Sequence, residues 1–296
     1  MNHLVSAKRH IAMCAPAHFD VTYRINPWMD PAGWSSDRAR YAALAREQWQ
    51  GLRDTLARIG ARIELVKPVD GLPDMVFTAN GGLVLDRVAL LPAFRHPERQ
   101  GETPHFAAFF ETLKKDGRID DVRMPDDGVA FEGAGDCLWD PARQMFWTGW
   151  GQRSDREAAD MVQDIFAKPV TALELVDPRF YHLDVGLRPL AGGHLLYYPK
   201  AFSAEDQARI ASWSGGSDYL IPVSDEDAMT FAVNSVALGK DVVMSSASAD
   251  LRARLEHAGY AVHETPLWAF HRSGGSALCL TLRLDQVSDT ANMPAF

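Results

Sequence analysis

One local pattern recurs along this chain with a period of roughly fifty residues: two strand-like apolar runs, an amphipathic helix, then a third strand. A unit that short cannot bury its own apolar face, so its copies must pack against one another. The first unit places a strand at Ile11–Ala15, a helix at Ser36–Ile59 and a strand at Ile63–Val66. In that helix Tyr41, Leu44, Ala45, Trp49, Leu52 and Leu56 fall at three- and four-residue steps and give one apolar stripe. The second unit reads as strands within Gly82–Leu91, a helix at Pro104–Lys115 and a short apolar stretch at Ile119–Met124. The third pairs Phe131–Asp140 with Gln144–Trp150, then a helix at Ser154–Phe166 and a strand at Val170–Leu175. The fourth runs through His182–Leu190, His194–Tyr198, Ala204–Ser212 and Tyr219–Ile221, and the fifth through Ala232–Leu238, Asp241–Met244, Ala249–Ala258 and Ala261–Glu264. Five units, one of them shared between the termini, predict an α/β chain closed into a pseudo-symmetric five-bladed ring, not a doubly wound sheet. No Pro/Gly/Ser linker or charge block divides it, so residues 1–296 read as one domain with its site at the centre.

The charge narrows what such a ring can bind. A formal net charge of -9 disfavours nucleic acid, whose phosphates need clustered Lys and Arg, and leaves a small cationic substrate compatible. There is no run of about eighteen uncharged apolar residues to span a membrane, and Met1–Ala12 lacks the apolar core of a secretory signal. A cytoplasmic enzyme is expected, with a homo-oligomer left open. Cys14, Cys137 and Cys279 lack the paired spacing of a zinc site or a disulfide framework, so no metal is expected and one thiol is available for chemistry.

Cys279 follows the pair Gly274-Gly275 in GGSALCLTL, a loop that opens an apolar strand. Alone, it reads as a small core hydrophobe as readily as a nucleophile. In FYHLDV, strand alternation puts His182 and Asp184 on one face, either as a structural pair or as a base beside an acid. Glu132 and Asp136 bracket small residues in FEGAGD, where the backbone can approach closely or simply turn. In DMVFTANGG a strand would give Asp74 and Asn80 one parity and turn Phe77 to the other side. Arg99, in the polar stretch RHPERQGE, has the composition of a solvated surface loop.

Taken together and in this order, these segments resemble the guanidine-modifying enzyme superfamily of pentein fold. Within it the chain is most similar to arginine dihydrolase domains, with dimethylarginine dimethylaminohydrolases as further relatives. The resemblance runs nearly end to end through YRINPWM, PDMVFTAN, FEGAGD, FYHLD and CLTLR. It implies a five-bladed α/β propeller in which Cys279 is the nucleophile and His182 the general acid and base. Glu132 and Asp184 would grip the two edges of a guanidinium. It also implies that Arg99 and Asn26 hold the substrate carboxylate, with Arg153 a weaker candidate, and that Asp74, Phe77, Asn80 and Asp136 line the substrate. No cofactor is implied. The superfamily's ring also serves as a ribosome anti-association factor, but that role has no use for the four catalytic side chains.

Asn80 chooses among family members. Deiminases carry an aspartate there, while the dihydrolase-like pattern has asparagine, whose amide both donates and accepts. Such a site can rebind uncharged citrulline, so the resemblance implies arginine going to ornithine, carbon dioxide and two ammonia. A carboxylate at Asp184 leaves little room for methyl groups, which disfavours dimethylarginine. The alternatives are a dimethylarginine dimethylaminohydrolase and a deiminase that stops at citrulline.

Overall fold

The computed structural model describes residues 9–288. The first blade contributes β1 (His10–Cys14), helices α1 (Pro31–Ser35) and α2 (Arg38–Arg58), and β2 (Arg62–Val66). The second holds β3 (Leu83–Leu85), β4 (Val88–Leu90), α3 (Pro97–Gln100), α4 (Thr103–Lys115) and β5 (Asp121–Arg123). The third is β6 (Cys137–Asp140), β7 (Met145–Trp150), α5 (Ala158–Phe166) and β8 (Val170–Glu174). The fourth is β9 (Leu187–Pro189), β10 (Leu195–Tyr197), α6 (Ala204–Ser214) and β11 (Leu220–Pro222). After α7 (Asp225–Met229) the fifth blade runs β12 (Val236–Leu238), β13 (Asp241–Met244), α8 (Ala249–His257) and β14 (Ala261–Glu264). Beyond α9 (Trp268–His271), β15 (Leu282–Arg283) returns to pair with β1 and completes the first blade.

Each blade is a three-stranded sheet of one design, antiparallel on one side of its middle strand and parallel on the other. The parallel pair is the one joined through a helix, because a parallel connection needs a crossover too long for a hairpin. Ile11 illustrates the closure: it faces Arg283 on one side and Ile63 on the other. The five-bladed α/β ring expected from the repeat is thus the fold. Its helices lie against the sheets with their apolar stripes inward: α2 buries Ala45, Trp49, Leu52 and Leu56. Aromatic side chains fill the space between blades, and Phe106 and Phe110 of α4 and Trp147 and Phe146 of β7 are all fully buried. Each such ring removes about 150–250 Å² from water, worth about 4–6 kcal/mol at most per side chain.

The structure departs from the sequence reading at the entrance to the inner strands. Residues 74–82 were expected as a strand and instead form two 3₁₀ turns, Pro73–Val76 and Thr78–Gly81. Phe131–Asp140 is interrupted by a 3₁₀ turn at Gly133–Gly135, and His182–Leu190 by one at Leu183–Val185. The fifth-blade strand begins only at Val236, after a turn that holds Asn234. Cys279 sits in another turn, ahead of β15. Close packing at the hub forces these breaks. Gly133 has φ +63°, and a Cβ there would lie 2.8–2.9 Å from the carbonyl oxygens of Ala79, Gly82 and Asn80. The helix expected from Ser154 starts at Ala158, because the Asp155 N–H bonds to the Ala130 carbonyl and Ser154 is drawn into the hub.

Five turns therefore ring the centre, one per blade, and polar contacts lock each to the next. Ala79 N–H donates to the Cys279 carbonyl at 3.1 Å, and Ala134 N–H to the Gly82 carbonyl at 2.9 Å. Leu183 N–H donates to Asp136 Oδ1 at 3.0 Å, and Asn234 Nδ2 to the Asp184 carbonyl at 3.2 Å. Cys279 N–H closes the circle on Asn234 Oδ1 at 3.1 Å.

Candidate active site

The ring of turns collects side chains far apart in sequence. Asn80 reaches Glu132 across 52 residues, Glu132 reaches His182 across 50, and Asn234 reaches Cys279 across 45. The repeat period itself brings the chemistry together, since equivalent turns of successive blades face one hub.

Two clusters result. In the first, the Cys279 thiol donates to Asp184 Oδ2 at 3.2 Å, and Asn234 Nδ2 donates to the same sulfur at 3.1 Å. Asp184 is fully buried and its Oδ1 has no hydrogen-bond partner in the protein. Burial pushes Asp184 up to about 7, against the bonds from Cys279 and Asn234 and the charge of Arg188, which pull it down. Burial and the Asp184 carboxylate push the Cys279 thiol up, so with nothing bound the sulfur is a protonated donor to Asp184.

In the second cluster, Glu132 Oε2 meets His182 Nε2 at 2.8 Å and accepts from Arg153 Nη1 at 3.0 Å. The Arg95 N–H donates to its other oxygen at 3.3 Å. Burial pushes Glu132 up, but Arg153, His182 and Arg99 outweigh it and hold the carboxyl well below the usual carboxylate range. Glu132 is therefore ionised and fixes the His182 ring by one nitrogen. The Tyr181 ring packs 4.7 Å from the His182 ring and carries the Arg153 guanidinium 4.6 Å above its face.

His182 and Asp184 are not two residues of one strand face. His182 is the last extended residue before the 3₁₀ turn, and that turn sends Asp184 to Cys279 while His182 goes to Glu132. The change puts His182 and Asp184 in separate clusters.

Two further candidates take different places from those expected. Arg99, read as a carboxylate-holding surface residue, is 3% exposed. Its Nε and Nη2 fork onto Glu102 at 2.8 and 2.9 Å, its Nη1 donates to Asn80 Oδ1 at 2.8 Å, and none of its nitrogens lacks a protein partner. Asp136, read as lining the substrate, uses one oxygen on the Leu183 N–H and the other on the Ser154 hydroxyl at 2.7 Å. Both brace the hub. Asn80 is held at both ends, donating to the Glu132 carbonyl at 3.1 Å and accepting from Arg99. Gly135 leaves it space: a Cβ there would lie 2.2 Å from Asn80 Nδ2.

The remaining candidates form the roof. Asn26 donates to the Ser273 carbonyl at 3.0 Å, and Asp74 accepts from the Tyr23 hydroxyl at 2.8 Å and from Ser273 at 3.4 Å. Phe77 packs edge-on to Phe19 and fills the space beside Gly275, where a Cβ would meet its ring at 2.3 Å. The Tyr181 hydroxyl donates to the Gly274 carbonyl at 2.8 Å. The segments around Asn26 and Ser273 are thereby tied together, and Cys279 and His182 are each 2% exposed.

With this geometry in hand, comparison with known proteins is decisive. Residues 16–285 match the family described as N,N dimethylarginine dimethylhydrolase, eukaryotic. The chain belongs to that family. It is 43% identical over 276 residues to the bifunctional arginine dihydrolase/ornithine cyclodeaminase ArgZ of Synechocystis sp., covering 93% of this chain and 38% of that protein. The chain thus spans little more than a third of the length of the bifunctional relatives it matches. It is 36% identical to the N(G),N(G)-dimethylarginine dimethylaminohydrolase of Mycobacterium tuberculosis, covering 93% of this chain and 86% of that one. The crystal structure of the N-terminal domain of ArgZ, as a Cys-to-Ser mutant bound to substrate, superposes with TM-score 0.87 at 41% identity, covering 95% of this chain and 99% of that domain. The pentein ring is the shared fold. Among the described residues of the present family member, no group of three or more His, Cys, Asp or Glu is placed to hold a metal ion. No helix there is long and apolar enough to cross a membrane.

Two residues of the hub, Asn234 and Ser154, carry no motif of their own in the sequence, and Tyr23, Tyr181 and Glu102 stand in recognisable segments without being singled out. For Asn234 a signal existed. It lies 52 residues after His182, at the repeat period, in the one blade to which the sequence reading assigned no site residue.

Proposed function

We propose that this chain hydrolyses guanidinium C–N bonds of arginine through a covalent thiouronium on Cys279, going on to ornithine, carbon dioxide and two ammonia. The observation that carries the reading is the Asp184 carboxylate, with Oδ2 on the thiol and Oδ1 buried without a partner. A buried acceptor with no donor is costly unless a ligand supplies one, and a planar guanidinium is such a donor. It would lie with its carbon beside the sulfur.

In the first half-reaction the Cys279 thiol gives its proton to His182, the thiolate attacks the guanidinium carbon, and His182 passes that proton to the terminal nitrogen, which leaves as ammonia. The substrate's positive charge favours the thiolate that the empty site disfavours. His182, returned to its neutral form, then takes a proton from water, whose hydroxide attacks the thiouronium carbon and frees the thiol and a ureido product. In a second cycle the ureido carbon is attacked in the same way, a second ammonia leaves, and hydrolysis gives a carbamate that breaks down to ornithine and carbon dioxide. Asn80 supports the second cycle, since a neutral amide can both donate and accept and adds no carboxylate whose desolvation an uncharged ligand would leave uncompensated.

A second reading, hydrolysis of dimethylarginine, is favoured by the family match and by the mycobacterial relative. The test is to incubate the enzyme separately with arginine and dimethylarginine and to quantify products over time. Ornithine from arginine supports the dihydrolase reading. Accumulation of citrulline alone makes the protein a deiminase, and dimethylamine released faster from dimethylarginine than ammonia from arginine replaces the substrate.

A further inference from the structure

Asn234 touches the nucleophile twice, and its orientation is fixed by main-chain groups on both sides. Its Oδ1 accepts from the Cys279 N–H at 3.1 Å, so that end of the amide must be the oxygen. Its Nδ2 donates to the Asp184 carbonyl at 3.2 Å, so the other end must be the nitrogen. One Nδ2 hydrogen is spent on that carbonyl, and the second faces Cys279 Sγ at 3.1 Å. A flipped amide would oppose two donors at one end and two acceptors at the other. Asn234 is also fully buried, with no water-facing side that could reorient it.

From this geometry we infer that Asn234 is a positioning residue for the nucleophile, whose amide N–H is committed to the Cys279 sulfur and preferentially stabilises its thiolate. The inference rests on Cys279 being the nucleophile, but not on which guanidine compound it attacks. A thiol sulfur is a weak acceptor and a thiolate a strong one, so a donor held on sulfur works on the ionised form. Of the groups facing Sγ, Asp184 acts in the opposite sense: its carboxylate accepts from the S–H and disfavours ionisation. The thiol's readiness then depends on the balance between the Asn234 amide and the Ser276 backbone N–H on one side and the Asp184 carboxylate on the other. Substrate neutralises the Asp184 side and leaves the Asn234 side in force. Asn234 also keys the turn carrying Cys279 to the turn carrying Asp184, so attacking and charge-binding groups keep one spacing.

The test uses ultraviolet difference titration of the thiolate, each protein read against its own Cys279→Ser partner, so that only this sulfur contributes and no substrate is needed. Asn234→Asp keeps the acceptor for the Cys279 N–H but removes both Nδ2 donations and adds a carboxylate, whereas Asn234→Ala removes every contact without adding a charge, so the Asn234→Ala midpoint decides. The thiolate midpoint should rise by about one pH unit in both variants, the scale expected when a hydrogen bond to a charged group is lost. With the substrate identified above, kcat should fall about tenfold at neutral pH with KM nearly unchanged. If Asn234→Ala misfolds, Asn234→Ser, too short to span from the carbonyl to the sulfur, takes its place. Anchoring alone would leave the midpoint of the neutral Asn234→Ala variant at the wild-type value, and that result overturns the inference. A raised midpoint in a protein that turns over no guanidine compound would sustain it while refuting the proposed function.

Discussion

Replacing Arg99 by Met distinguishes a strut from a substrate-binding residue. The guanidinium is held by two bonds to Glu102, one to Asn80 Oδ1 and one to the Asp74 carbonyl at 3.2 Å, and lies 4.6 Å from the Phe94 ring. Its removal leaves Glu102, which is fully buried, without a counter-charge. Breaking one side of a buried pair costs about 3–5 kcal/mol, so unfolding in urea at pH 8 should show a loss of that size. The loss should depend on pH with a definite sign. Burial outweighs the attraction of Arg99 and pushes Glu102 up to about 7 from an ordinary 4.5. The folded state therefore binds this proton more tightly than the unfolded one, and the carboxyl's contribution to stability falls as pH rises from 4.5 through 7. Between pH 6 and 8 that amounts to roughly 1 kcal/mol in wild type, because the slope ends near pH 7. Without Arg99 the Glu102 carboxyl should stay protonated beyond pH 8, and the fall over the same interval should be roughly twice as large. The variant's deficit should thus be larger at pH 8 than at pH 6. Adding Glu102→Leu should recover at least about 2 kcal/mol, since the buried carboxyl left without its partner is gone. A raised KM with a stability loss under about 1 kcal/mol, or strictly additive single variants, would refute the strut and return Arg99 to the substrate carboxylate.

The other predictions are narrower. Cys279→Ser should abolish turnover and retain the fold, because the hydroxyl is far less available as an anion at neutral pH; sustained product formation would end the thiouronium mechanism. Asn80→Asp should release citrulline in place of ornithine, since a carboxylate there offers no donor to a ureido oxygen and costs desolvation when a neutral group binds; equal ornithine yields from both proteins would clear Asn80 of that role. Arg188 is 8% exposed and its Nε has no protein partner. Arg188→Met should leave Tm unchanged or raise it, because an apolar chain of similar length avoids burying a charge; a loss of more than about 2 kcal/mol would show that the guanidinium is held by a strong interaction.

Periodicity along the chain was enough to determine the blades, their order and their closure. Apolar spacing reports which face of each element is buried, and a unit repeated five times leaves few ways to bury all those faces at once. The proposed catalytic residues could be picked out for a related reason: Cys279, His182, Glu132 and Asp184 stand in short, locally recognisable segments. Only the tertiary structure decided how they pair. The parity that joined His182 to Asp184 fails because a 3₁₀ turn, imposed by close approach at the hub, redirects Asp184 to the thiol. Composition gave Arg99 to solvent, but ring closure buries it between Glu102 and Asn80. Asn234 had no motif, only a position in the period, and it gains its meaning from two main-chain groups 50 and 45 residues away. Hydrogen-bond partners across such distances are set by where the turns meet when the ring closes, and local sequence carries no record of that.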